Sequence, residues 1–138
     1  MAKVVNSPGR TVGLRNVGSY QISGHPYITG STNMGSAGTT MHVKFPHVAK
    51  NFTVIASGSS QVNIHFNPTS AGRINEGNHF VTLSGSATNH RPEVTFDVKC
   101  KEVFITNITA NAGFQLYASL TGIPFDQMYV LTGSGLTD

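Results

Sequence analysis

The chain has no tryptophan, a single cysteine and, before Glu76, no acidic residue. One cysteine rules out an intrachain disulfide, and with it the small scaffold held together by bridges. Charged residues make up 11% of the chain, against about 25% in ordinary globular domains. With 38% hydrophobic residues, the composition argues against a solvated disordered chain, which needs high charge and few apolar groups. It also speaks against a free, highly soluble monomer, which spends more of its surface on charge. Long hydrophobic runs are missing too. No window approaches about eighteen continuous apolar residues and the N-terminus has no apolar stretch of the secretory kind, so neither a membrane span nor a signal peptide is expected.

The acidic gap makes the two halves unlike. Residues 1–75 carry Lys3, Arg10, Arg15, Lys44, Lys50 and Arg73 without a carboxylate, while residues 76–138 carry six carboxylates against Arg91, Lys99 and Lys101. A basic front half prefers an acidic partner surface. The six cations are spread too thinly for a phosphate footprint, which needs clustering, so nucleic acid is not the expected partner.

What the chain does contain is turn formers and period-two alternation. MHVKFPHVA places Met41, Val43 and Phe45 against His42, Lys44 and Pro46, which is the pattern of a strand with one buried face. Pro46 demotes that strand to an edge or marks a bulge. NFTVIAS, QVNIHFN, HFVTLSG, EVTFDVKC, EVFITNI and FQLYASL continue the series. Gly58-Ser59-Ser60, between two alternating runs, predicts a hairpin. Val62, Ile64 and Phe66 are expected to face inward and Asn63, His65 and Asn67 outward. In EVTFDVKC the inward set is Val94, Phe96, Val98 and Cys100. A helical reading of residues 114–121 is open, because Leu116 and Leu120 lie four apart; the strand pattern has more consecutive matches. Strands this short and closely spaced predict an all-β antiparallel β-sandwich, jelly-roll-like, of seven to eight strands.

The expected organisation is an extended N-terminal arm over residues 1–40, a sandwich core over 41–121 and a C-terminal tail over 122–138. The arm is sparse in apolar anchors. Fully extended it spans roughly 125 Å at about 3.3 Å per residue, enough to reach a neighbouring subunit. The tail carries Phe125, Met128, Tyr129, Val130 and Leu131, so it is expected to return to its own core or to cover a neighbour.

Catalytic groups are few. Glu93, Asp97 and Glu102 fall on polar strand positions or strand ends, where a solvated role is the plain reading; a glycosidase pair needs two carboxylates facing one cleft. Six histidines are present, at 25, 42, 47, 65, 79 and 90, without the spacing that puts two imidazoles on one strand face for zinc. No catalytic residue, cofactor or metal is therefore expected. Cys100, on an apolar strand phase, reads as a buried, inert thiol. Asn51-Phe52-Thr53 and Asn107-Ile108-Thr109 match the glycosylation pattern and read as chance. A glycan site on the loops would draw on Asn75, Asn78, His79, Asn89 and His90, although aromatic platforms are scarce there.

Taken in order, SYQISGHPYITGS, MHVKFPHVAKNFTVI, FDVKCKEVFITN, FQLYASLTGIP and the terminal LTGSGLTD resemble the small virion structural proteins of tailed phages, particularly marine ones, over residues 19–138. The resemblance implies a non-enzymatic virion protein on a β-sandwich, a capsid decoration or cement protein at the capsid surface, or alternatively a small tail or fibre component that binds a receptor or glycan. It implies the major capsid protein or another virion protein as partner. Arms that add strands to a neighbour's sheet fit the same reading. On the arm, Lys3, Arg10, Arg15, Tyr20, Ile22 and Tyr27 are the expected partner-binding residues. Homo-oligomers, trimers for instance, are a usual outcome for such subunits.

Overall fold

The computed structural model of the chain describes residue 14 and residues 25–57, 59–68, 79–85 and 91–137. The described residues form an all-β, antiparallel, sandwich-like fold. Its strands are β1 (Pro26–Ser31), β2 (Thr40–Ala56), β3 (Gln61–His65), β4 (Val81–Ser84), β5 (Glu93–Phe96), β6 (Cys100–Asn107) and β7 (Phe114–Pro124), and a 3-10 turn follows at Phe125–Gln127.

The long strand β2 organises everything else. Its first half pairs with β6, from Thr40 opposite Thr106 to Lys44 opposite Glu102. Its second half lies between β7 and β5, so that Phe52 faces Ala118 on one side and Phe96 on the other. Between the halves the register shifts, from Lys44 to Ala49 against β6 and again around Ala49 against β7. Pro46 sits in that shift. It has no N–H for a ladder, so the strand breaks register there and bends. MHVKFPHVA and NFTVIAS, expected as two strands, are thus one bent strand.

The bend folds a single hydrogen-bonded sheet into two layers. One holds β1, β7, the second half of β2, and β5; the other holds the first half of β2, β6, β3 and β4. Their inner faces share one apolar cluster that includes Phe45, Phe52, Val54, Val62, Ile64, Val103, Ile105, Phe114 and Leu116. Aromatic rings bridge the layers. Tyr27 of β1 meets Phe45 edge-on at 5.4 Å, and Phe66, just after β3, meets Phe52 at 6.1 Å and Phe96 at 6.1 Å. Phe52 also stacks on Phe96 at 4.9 Å.

Three expectations are corrected. The Gly-Ser turn does close, with the Ser60 N–H donating to the Ser57 carbonyl at 3.0 Å. It is not a hairpin, however. Both edges of the second half of β2 are occupied by β7 and β5, so β3 crosses to the other layer and pairs with β4 and β6. EVTFDVKC is not one strand either. β5 ends at Phe96, Val98 is exposed, and Cys100 opens β6. Finally, the sheet does not begin at Met41 or end at residue 121. β1 pairs with β7 along its whole length, from Pro26 opposite Ser119 to Ser31 opposite Phe114, and β7 runs on to Pro124. The strand pattern of FQLYASL holds, with Phe114, Leu116, Ala118 and Leu120 buried.

The tail returns to its own chain. Ile123 and Met128 form a small cluster with Val48, against which Leu14 and Leu131 pack. Lys44 and Lys101 each place an ammonium over the Phe125 ring, 4.5 Å and 4.4 Å from its centre. Lys101 also donates to the Met128 carbonyl at 2.8 Å. Inside β7 the Thr121 hydroxyl donates to the Val48 carbonyl at 2.7 Å.

Candidate functional site

The surface that stands out lies on the outer face of the first layer, where β1 meets β7. Period two sends Pro26, Ile28 and Gly30 of β1 outward and turns Tyr27 into the core. Register then aligns Ile28 with Tyr117, and Gly30 with Gln115 and, one strand further, Ile55. Ile28 is 78% exposed and Tyr117 50% exposed, which is unusual for apolar and aromatic groups side by side on a sheet. Around them is a groove of about 620 Å³ lined by Ile28, Gly30, Ile55, Arg91, Gln115 and Tyr117. Arg91 reaches across it to the Gln115 side-chain oxygen at 3.4 Å. Next in the row, the Thr53 and Thr95 hydroxyls bond to each other at 2.9 Å.

Gly30 is required by the closeness of the two strands. A Cβ at this position would sit 2.5 Å from the Phe114 carbonyl oxygen, a backbone atom that cannot swing aside. The groove floor is therefore open at this point.

β1 is also an edge. Its pairing with β7 begins with the Leu120 N–H donating to the His25 carbonyl at 2.9 Å. In an antiparallel ladder, bonded and non-bonded positions alternate. Tyr27, Thr29 and Ser31 therefore turn their backbone groups toward β7, and Pro26, Ile28 and Gly30 turn theirs away. Pro26 occupies an outward position, where its missing N–H costs no ladder bond. Among the described residues no strand lies beyond β1. Edge strands are usually guarded by lysine or proline, by a bulge or by brevity; Pro26–Ser31 is six residues long, carries no charge and has its one proline at the first position.

No protein-family model and no curated protein matches this chain. Function must therefore be read from the side chains themselves.

Of the expected arm residues, Lys3, Arg10, Arg15, Tyr20 and Ile22 lie outside the described residues. Tyr27 is described, and it anchors β1 to Phe45 instead of belonging to a detached arm. Leu14, also in the expected arm, packs against the chain's own small cluster. Asn75, Asn78, Asn89 and His90 lie outside the described residues as well. His79 is described; its Nε2 is buried and has no hydrogen-bond partner among the described residues.

The second layer carries a different arrangement on its outer face. Register brings His42, Phe104 and His65 side by side across β2, β6 and β3. His42 stacks on Phe104 at 4.3 Å and bonds to Glu102 at 2.7 Å, while His65 lies parallel to Phe104 on its other side at 6.0 Å. His65 is 2% exposed, with Nδ1 2.6 Å from the Asn67 carbonyl and Nε2 2.8 Å from the Thr106 hydroxyl. A carbonyl only accepts, so Nδ1 carries the proton and Nε2 accepts from Thr106. The Thr106 oxygen is then left to accept from Thr40, 2.8 Å away. Burial holds the His65 pKa below its ordinary value, partly offset by the bond to Asn67.

Among the described residues no group of three His, Cys, Asp or Glu side chains converges on a point. Cys100 is buried, and burial, with the Glu102 charge behind it, pushes its thiol up to about 12. Asn107 is buried, accepting from the Thr39 N–H at 2.7 Å and donating to the Gly35 carbonyl at 3.1 Å, so its glycosylation match has no access. The exposed face at Ile28 and Tyr117 was missed because YITGS sits among turn formers and gives only a brief alternation. The usable signal was the uncharged Pro-x-Ile-x-Gly spacing, which fits an outward-facing edge.

Proposed function

We propose that this chain is a non-enzymatic structural subunit that attaches to a larger protein shell, in the manner of the virion decoration proteins its sequence resembles. The observation that supports this reading is the uncharged edge strand β1 beside exposed Ile28 and Tyr117. Such a surface gives a partner apolar contact from the side chains of its outer face. Aromatic anchors dominate the energetics of protein interfaces, which puts Tyr117 at the centre of the contact. The test is co-sedimentation with assembled shells of the major capsid protein. The parent chain is expected to sediment with the shells, and Tyr117→Lys to lose at least about tenfold in affinity, roughly the effect of one anchor residue. Tyr117 is half-exposed, so the variant should melt with the parent. No binding by the parent, or full binding by the variant, would sink the proposal.

The groove favours a second reading, a tail or fibre component that binds a glycan. A tyrosine face beside an amide and a guanidinium is a surface on which a sugar ring could stack and be held by its hydroxyls. A glycan array would decide for it if hits disappear in both Tyr117→Ala and Gln115→Ala; an array without hits removes it.

A further inference from the structure

We propose that two copies of this chain join β1 to β1, antiparallel, about a two-fold axis through Ile28. The proposal rests on the order of the backbone groups along the edge that have no partner among the described residues. Pro26 offers an outward carbonyl and no donor, while Ile28 and Gly30 each offer an N–H and a carbonyl. With Ile28 opposite Ile28 of the second copy, each Ile28 N–H meets the other's carbonyl. Gly30 then falls opposite Pro26 of the second copy, and its N–H meets the carbonyl that Pro26 alone can supply. A shift of register toward Ser31 carries Pro26 past the end of the partner strand.

The side chains agree with this centre. Pro26, Ile28 and Gly30 share the outer face, so the partner's Pro26 ring lies over the gap that Gly30 leaves. The two Ile28 side chains meet at the axis, each flanked by its own Tyr117. Self-association of a charged strand would set like charges against each other across the axis; residues 26–31 have none. The other edges fit less well, because β4 is four residues long and β5 carries Glu93. The junction is smaller than a standard protein interface, about 1,600 Å². Pairing is therefore concentration-dependent, and strengthened wherever copies are held near one another on a common support.

The test uses the full-length chain with no shell present, so its outcome is separate from shell attachment. Ile28→Cys places two thiols at the axis, where a directly bonded antiparallel pair has Cα atoms about 5.5 Å apart, within the roughly 4.4–6.8 Å that a disulfide spans. Oxidised glutathione should convert this variant to a covalent dimer. Thr29→Cys, which faces inward and lies off the axis, should stay monomeric, as should the parent, whose Cys100 is buried. In sedimentation equilibrium the parent should gain mass with concentration, and Ile28→Lys should weaken association at least about tenfold. Ile28 is exposed, so neither variant should lose stability. A parent that stays monomeric at millimolar concentration overturns the proposal. So does a dimer that survives Ile28→Lys, which would assign the contact to another segment such as residues 1–24 of a second copy. Equal linking rates at positions 28 and 29 would overturn it as well.

Discussion

His65 makes the stability of this protein depend on pH in a direction the structure fixes. In the fold the ring is buried and neutral, donating to the Asn67 carbonyl and accepting from Thr106. Its pKa lies below the unfolded value of 6.5, with burial the larger cause. Above pH 6.5 both states hold the neutral ring and His65 adds no pH dependence. As the pH falls through 6.5 the unfolded chain takes up a proton that the folded chain refuses, so stability declines. It goes on declining until the folded pKa is reached. The slope for one proton cannot exceed about 1.4 kcal/mol per pH unit. The chain holds other titratable groups, so the measurement is a difference. Urea unfolding from pH 4.5 to 7.5 should show the parent losing stability faster on acidification than His65→Gln, which cannot titrate. At neutral pH, His65→Ala should cost roughly 2–4 kcal/mol, from two hydrogen bonds at about 1 kcal/mol each and the buried ring left as a cavity. Nitrogen NMR should find the proton on Nδ1. Parallel pH curves for parent and His65→Gln, or an Nε2–H tautomer, would refute the reasoning.

Two further outcomes follow from the packing. Gly30→Ala drives a Cβ toward the Phe114 carbonyl; pushing β1 off β7 should cost about 1–3 kcal/mol, visible as a lower midpoint in thermal unfolding, and an unchanged midpoint would contradict the geometry. Cys100 should resist a thiol reagent at pH 8 in the folded protein and react at once in denaturant, because the thiolate that reacts is suppressed by a pKa pushed up to about 12; rapid labelling of the folded chain would count against its burial.

Fold class was legible in the sequence because the inner faces keep strict period two. Leu116 and Ala118 of β7, and Val62 and Ile64 of β3, are buried where alternation puts them. What alternation cannot report is which layer a strand joins. NFTVIAS and QVNIHFN looked like a hairpin because they are adjacent and separated by a turn. Yet β2 had already filled both of its edges with strands far along the chain. His65 and Asn67, expected on the outward polar face, are buried. Asn67 donates to the Leu131 carbonyl at 2.6 Å, so the returning tail lies against that end of β3. Such cover is a tertiary event with no local sign. The candidate surface failed for a related reason: the partner that gives YITGS its meaning as a strand is β7, near the other end of the chain.

That last pairing has a consequence for synthesis. β3 and β4 are the one pair of sequence neighbours that share a ladder among the described strands; every other ladder joins segments that leave the ribosome well apart in time. β1 emerges first and waits for β7, and the second half of β2 waits for β5 and β7. Partial chains therefore display unpaired apolar strands instead of folding in stages. High contact order of this kind slows folding and exposes its intermediates to aggregation. Yield should thus be governed by how fast the last forty residues are delivered, and co-expression at low temperature or with a holding chaperone should help more than any change to the surface.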